Sequence, residues 1–267
     1  MTTSSKKPSF WVHNVTDNTN LLKTNVNEKW EIASLAKLIA AMVLLDDPAF
    51  DSTDELELSL EPITYDGDIK QWSPEEMPWT DGTPLVYNET IKFIIPKGTY
   101  TKDKLLRASL SPGDNYAIDT LARDYSGNFL EAMNTKAQAL GLAESHFTSP
   151  HGCSLDDYAT VQDVFNMAVA ALDYDLIKEY TTLAQDEYRG LALENLNLYV
   201  MNIFKGSIDK VLLSKTGFSL RDGLHMILVI EIQGKVYSAI VLGSPNWEMR
   251  NAIMRKLMST ILYQASK

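Results

Sequence analysis

The chain has a single cysteine, Cys153, among its 267 residues. No intrachain disulfide can form, and cross-links give no reading of the redox compartment. No second chemical signature surrounds that thiol, which makes it a poor candidate nucleophile. Positive charge is also in deficit, since 24 Lys and Arg face 35 Asp and Glu for a formal net charge of -11. A nucleic-acid partner is not expected, because phosphate binding rests on Lys/Arg neutralisation and counterion release. Long apolar runs are missing too: the longest, residues 35–45, contains Lys37 and falls far short of the roughly 20 residues that cross a bilayer. No membrane span is expected. The first eight residues, Met1 to Pro8, are polar and lead straight into Phe10, Trp11 and Val12. They lack the apolar stretch and small-residue cleavage site of a secretory signal, so the chain as it stands is expected not to be addressed for export. Repeats and low-complexity segments are absent as well. What is there, 45% hydrophobic and 22% charged residues, suits a chain that folds around its own core.

Two extended runs at 9–15 and 20–24 flank the turn formers Thr16, Asp17, Asn18 and Thr19, which predicts a hairpin. From 34 to 45 the apolar residues Leu35, Leu38, Ile39, Met42 and Val43 recur at helical spacing, with Ser34 at the helix start. A helix so apolar belongs at the centre. Residues 50–100 are acidic and broken by Pro62, Pro74, Pro78, Pro84 and Pro96, predicting short strands and surface loops. Helical patterns follow at 102–110, 115–125, 129–140 and 160–172; strands are predicted at 210–214, 224–233 and 236–242, and a closing helix at 246–263. Sheet at both ends with helices between predicts an α+β fold: an antiparallel sheet built from both chain ends, flanked by helices, with an inserted helical lobe. The expected division of the single catalytic domain, 1–267, is a sheet lobe at about 9–50 and 205–267 and a helical lobe at about 51–204. The cleft between them is the natural site.

Three short patterns carry chemistry. Ser34, Leu35, Ala36 and Lys37 form S-x-x-K at a helix start, where residues i and i+3 share a face. A serine hydroxyl needs a base to become a nucleophile, and a lysine can be that base when burial lowers its pKa. Lys215, Thr216 and Gly217 form K-T-G at a strand edge, where glycine lets a substrate backbone approach. Between the two, Ser111, Pro112, Gly113, Asp114 and Asn115 precede a helix, in the place where S-D-N or S-x-N accompanies the other two motifs. Each pattern alone is common. Their order and context together are not.

With these motifs, residues 9 to 258 resemble the D-alanyl-D-alanine carboxypeptidases, the low-molecular-mass penicillin-binding proteins. The likeness extends to the stretch from Ala33 to Ala41, to the turn from Ile95 to Gly98, to the run from Leu140 through His146 to Gly152, and to Val241, Leu242 and Gly243. The resemblance implies a serine D,D-peptidase acting on a peptidoglycan stem peptide through an acyl-enzyme on Ser34, with β-lactams as inhibitors and no cofactor. In that scheme Lys37 is the acylation base, Asn115 binds the peptide amide, Lys215 supplies electrostatics and Thr216 a substrate hydrogen bond. Backbone N–H groups of Ser34 and Phe218 form an oxyanion hole. Arg250 on the last helix holds the substrate carboxylate.

Alignment on Asn115, Ala117, Leu121 and Ala122 puts Gly113 where the family carries its middle-motif serine. That hydroxyl serves proton transfer to the leaving amine, so its loss is expected to slow acylation by amides, with Ser111 a substitute from two residues away. The site of action expected from the resemblance is the extracytoplasmic wall. The absence of a signal motivates the expectation of a virus-encoded enzyme carried in a virion or released on lysis. His146 and His151 have no carboxylate or cysteine at metal-ligand spacing, so packing roles and no metal are expected. The aromatic residues Trp72, Trp79, Tyr87 and Tyr100 are expected to pack a loop region. Glu194 to Asn197 faintly resembles the deacylating motif of class A β-lactamases, yet lies too close to Lys215 for that loop. A β-lactamase-type amidohydrolase and a catalytically impaired wall-binding or virion structural relative are the alternatives.

Overall fold

The two ends of the chain meet in one sheet. The protein was analysed as a computed structural model that describes residues 6–59, 95–195, 206–219 and 221–267. Its elements run β1 (Ser9–Asn14), β2 (Thr19–Thr24), β3 (Trp30–Glu31), a 3-10 turn (Ala33–Ala36), α1 (Lys37–Asp46), β4 (Glu55–Glu57) and β5 (Thr99–Thr101). Then follow α2 (Lys102–Leu110), α3 (Asn115–Asp124), α4 (Phe129–Ala139), β6 (Tyr158–Ala159), α5 (Val161–Ala171), α6 (Asp175–Thr182), β7 (Gln185–Tyr188) and β8 (Leu191–Glu194). The chain closes with β9 (Lys210–Ser219), β10 (Gly223–Ile232), β11 (Lys235–Ser244) and α7 (Trp247–Ala265).

The main sheet has the order β2-β1-β11-β10-β9 and is antiparallel throughout. Register follows from the period-2 pattern, since a one-residue slip would turn every apolar side chain to the wrong face. Val12, Met226, Leu228, Ile230, Ala239 and Val241 line one face, covered by Met254, Leu257, Met258 and Ile261 of α7. Those four positions are one apolar stripe at helical spacing. Trp11, Ile227, Val229, Ile240 and Leu242 point the other way, into a larger core shared with the helices. The β10–β11 hairpin turns through Gln233 and Gly234, both at positive φ, as a tight hairpin turn requires.

Helix α1 is buried around its circumference from Lys37 to Leu44 and packs against α2, α3, α4 and α5, which is why its sequence shows so little polar face. The helices around it are capped where the sequence offers a short polar residue: Thr101, Asp114, Asn128, Thr160 and Asn246 each accept a first-turn N–H.

The architecture is the α+β arrangement read from the sequence, with local differences. Residues 33–36 form a 3-10 turn ahead of α1, where the periodicity predicts one continuous helix. Ile32 at the start offers no side-chain cap, and the tighter turn suits the close packing around Ala33. Helix α6 and the β7–β8 hairpin were not singled out by periodicity. The stretch 60–94, with Trp72, Trp79 and Tyr87, and the end of the Glu194–Asn197 segment lie outside the described residues. No helix among the described residues is long and apolar enough to cross a membrane.

Candidate active site

Ala33 sits at φ +49, a left-handed conformation that costs a residue with a Cβ roughly 1–2 kcal/mol. Its surroundings hold it there. A Cβ on Gly152 would fall 1.8 Å from the Ala33 carbonyl oxygen, and one on Gly217 would fall 2.7 Å from the Ile32 oxygen. The two glycines thus let the 149–154 turn and β9 close onto the backbone that leads into Ser34.

In the 3-10 turn residues i and i+3 eclipse, which sets Lys37 directly under Ser34. Lys37 Nζ donates to Ser34 Oγ at 2.7 Å, to Asn115 Oδ1 at 2.6 Å and to the His151 carbonyl at 3.2 Å, one acceptor for each ammonium hydrogen. Lys37 is fully buried. Burial brings its pKa down to about 8, while Cys153, Asp114 and Asp157 pull it upward. Its free-base form is thereby accessible near neutral pH.

Asn115 opens α3. The preceding residue, Asp114, is buried and caps the helix by accepting from Ala117 N at 3.0 Å, while its other oxygen accepts from Ile95 N at 2.7 Å. Burial raises the Asp114 pKa against these bonds. The Asn115 carboxamide therefore has a fixed base, and its Nδ2 donates to Cys153 Sγ at 3.2 Å.

The 148–154 turn that supplies the His151 carbonyl and Cys153 is organised by Asp157, which is fully buried. Its Oδ1 accepts from Thr148 N at 2.6 Å and Ser149 N at 3.1 Å; its Oδ2 accepts from Ser149 Oγ at 2.5 Å and Ser154 N at 3.1 Å. His151 Nδ1 accepts from Cys153 N at 3.1 Å. Burial, then the Lys37 charge, lowers the His151 pKa to about 3, so the ring is neutral. His146 pairs by backbone with Tyr158. Among the described residues no group of three His, Cys, Asp or Glu is placed to hold a metal ion.

Lys215, Thr216, Gly217 and Phe218 lie on β9, the outer strand of the sheet, and β9 packs on the 3-10 turn. Lys215 is buried and its Nζ donates to the Thr216 carbonyl at 3.3 Å. Burial, then repulsion from Lys37, lowers its pKa to about 7. Thr216 is buried and Phe218 half-buried.

Of the residues singled out from sequence, the structure joins Ser34, Lys37 and Asn115 by hydrogen bonds and couples Lys215 to them through its charge. Ser111 and Arg250 make no bond to that group. Ser111 ends α2, buried, with an Oγ that has no partner among the described residues. Gly113 adopts φ +88. Arg250 is buried beneath the Trp247 ring, 4.1 Å from its centroid, and its Nε and Nη2 donate to Asn251 Oδ1 at 3.2 and 2.9 Å. Its Nη1 has no partner among the described residues, and burial lowers its pKa to about 10. Sequence reasoning missed the Cys153 thiol and the His151 carbonyl as members of the site. The only available signal was their place within the run from Leu140 to Gly152 and just after it.

A family model described as D-alanyl-D-alanine carboxypeptidase matches residues 9–246. The chain belongs to the D-alanyl-D-alanine carboxypeptidase family. Among curated members, a D-alanyl-D-alanine endopeptidase of Pseudomonas aeruginosa is 26% identical over 230 residues, 79% of this chain and 63% of that one. D-alanyl-D-alanine carboxypeptidase DacA of Escherichia coli is 25% identical over 246 residues, 90% of this chain and 56% of that one. The chain thus spans less than two thirds of either relative. In three dimensions, ampicillin-bound penicillin-binding protein D2 of Listeria monocytogenes matches with a TM-score of 0.74 at 25% identity, covering 94% of this chain and 95% of that one. A Streptomyces K15 DD-transpeptidase shares the fold, at TM-score 0.74 and 18% identity over 94% of this chain and 96% of that one.

Proposed function

We propose that the chain is a serine D,D-peptidase that cleaves the D-Ala-D-Ala bond, or the D-Ala cross-link, of peptidoglycan stem peptides through an acyl-enzyme on Ser34. The observation that carries this reading is the 2.7 Å bond between Lys37 Nζ and Ser34 Oγ, inside a site dry enough to bring the amine near its free-base form. Family membership, the endopeptidase and carboxypeptidase relatives and the β-lactam-bound neighbour support it.

In the first step the neutral Lys37 takes the Ser34 proton as Oγ bonds to the carbonyl carbon of the penultimate D-Ala. Negative charge then develops on the carbonyl oxygen, and the main-chain N–H groups of Ser34 and Phe218 stabilise it. Collapse expels the terminal D-Ala, whose nitrogen takes up the proton held by Lys37. Water attacks the ester in the second step, releasing the shortened peptide and restoring the Ser34 hydroxyl. Asn115 offers its carboxamide to the peptide, Lys215, relieved of the Lys37 charge that lowers its pKa once that amine is neutral, supplies positive potential, and Thr216 donates its hydroxyl. Gly217 leaves room for the substrate backbone, Ser111 substitutes only in part for the hydroxyl that Gly113 lacks, and Arg250 holds the free carboxylate with its unsatisfied Nη1. The reaction takes place at the extracytoplasmic wall, and β-lactams inhibit it by acylating Ser34.

Fluorescent penicillin labelling tests the reading. A stable adduct on Ser34, lost in Ser34→Ala and Lys37→Ala, supports the peptidase. Rapid turnover of the adduct points instead to a β-lactamase-type enzyme, and the absence of any adduct to a catalytically impaired wall-binding relative. A muropeptide digest then separates carboxypeptidase from endopeptidase activity.

A further inference from the structure

Four residues outside the motifs join the segment before Ser34 to the segment after the K-T-G. Asp222, buried in the turn between β9 and β10, accepts from Glu31 N through Oδ2 at 2.9 Å. Glu31 is also buried, and its carboxylate accepts from Ser219 Oγ and pairs with Arg221. Ser219 Oγ in turn accepts from Asp222 N at 3.1 Å and Arg221 N at 3.2 Å. The bonds close into a ring that runs from the Glu31 amide to the Asp222 carboxylate, along to the Asp222 amide, to the Ser219 hydroxyl and back to the Glu31 carboxylate.

Both ends of this ring are close to the chemistry in sequence. Glu31 lies three residues before Ser34, and Ser219 directly follows Phe218. Two contacts fix the described residues of the turn. Gly223, at φ +81, packs so that a Cβ would lie 2.3 Å from the Ser244 oxygen, and Arg221 Nη2 donates to the Leu155 carbonyl at 3.0 Å. Removing two carboxylates from water at one spot is costly: one Glu31 oxygen takes the Ser219 hydroxyl while the other faces only the Arg221 guanidinium, and burial raises the Glu31 pKa, yet these contacts tie two distant segments together rather than a single loop. An oxyanion hole works only if its donors stand about 2.7–3.1 Å from where the charged oxygen will be, and misplacement by about 1 Å costs on the order of 100-fold.

We propose that Asp222 is a positioning residue which, through the Glu31 amide and Ser219, sets the spacing between the main-chain N–H groups of Ser34 and Phe218. It therefore governs the rate of acyl transfer and not the affinity for the acyl donor. This rests on the proposed acyl-enzyme at Ser34.

The test is the saturating rate of fluorescent-penicillin acylation, the apparent dissociation constant of the preceding complex and the melting temperature, each for the full chain carrying Asp222→Ala or Asp222→Asn. Asp222→Ala is expected to slow acylation about 10- to 100-fold with the dissociation constant within about twofold. Asp222→Asn keeps an oxygen for the Glu31 amide and is expected to restore most of the rate. Ser219→Ala opens the ring at another bond and serves where Asp222→Ala does not fold, with the same expected loss of rate at unchanged affinity. A folded Asp222→Ala or Ser219→Ala protein that acylates at the wild-type rate, a loss confined to affinity, or an Asp222→Asn protein as slow as Asp222→Ala would overturn the inference alone. Wild-type protein that is never acylated at Ser34 overturns the proposed function and takes this inference with it.

Discussion

The Asn115 carboxamide is held from both sides, accepting from Lys37 Nζ at 2.6 Å and donating to the Cys153 thiol at 3.2 Å. One hydrogen of the donor that the proposed mechanism offers to the peptide is thus engaged by the thiol, and the other is left for an incoming substrate beside it. Iodoacetamide added to Cys153 is therefore expected to lower penicillin labelling at least about tenfold, since a carbamidomethyl group would occupy the space beside Asn115. Penicillin bound first should protect the thiol, as mass spectrometry of the Cys153 peptide would report. Normal labelling of fully alkylated protein would place the thiol outside the working site.

A second expectation concerns pH. With its pKa brought to about 8 by burial, Lys37 gains its free-base form as pH rises. The acylation rate should climb about tenfold per pH unit below that value and level off above it. Asp157 holds the Lys37 pKa up, so Asp157→Asn should move the inflection to lower pH. A profile that is flat from pH 6 to 9 would remove Lys37 as the base. Lys37→Arg, which stays protonated, should not acylate.

Lys215 makes a prediction about stability. Its pKa in the folded protein, about 7 through burial, lies below the roughly 10.4 of an unfolded chain. The unfolded state therefore binds the extra proton between these values, and the residue's contribution to stability rises with pH across that window. Relative to wild type, Lys215→Met should melt higher at pH 6 by at least about 3 °C, with the gap shrinking toward pH 10. Calorimetry at several pH values reads this directly, and a gap that widens with pH contradicts it.

Gly113→Ser reinstates a hydroxyl at a backbone position with φ +88. The left-handed conformation should cost about 1–2 kcal/mol, seen as a melting temperature lower by a few degrees. Turnover of a D-Ala-D-Ala peptide per folded molecule should nonetheless rise if a proton relay is what the glycine removes. A fall in turnover at equal folded fraction would show that no relay is missing.

The sheet was legible because strands 224–233 and 236–242 are apolar over most of their length, and α1 was legible because nothing polar interrupts it but Lys37; the register, which the sequence reading did not reach, depends on pairings between distant segments. The S-x-x-K and K-T-G patterns were legible because each is local. Cys153 was not, since its partner Asn115 belongs to another helix and no spacing along the chain announces the encounter. Asp157 and Asp222 look like ordinary surface acids in sequence; only the folded chain turns six N–H and O–H donors among the described residues toward them. The 3-10 turn at Ala33 was hidden for a similar reason, because the glycines that crowd it, Gly152 and Gly217, come from distant segments.

Pairing Ser9 with Leu242 makes the first of the described strands wait for the last. At about 5–20 residues per second, β1 and β2 leave the ribosome tens of seconds before β11 can receive them, with one side of β1 unbonded in the meantime. The finished sheet is therefore a late, long-range event of the kind that slows folding, and until β11 arrives one edge of the β1–β2 hairpin stays without its strand partner.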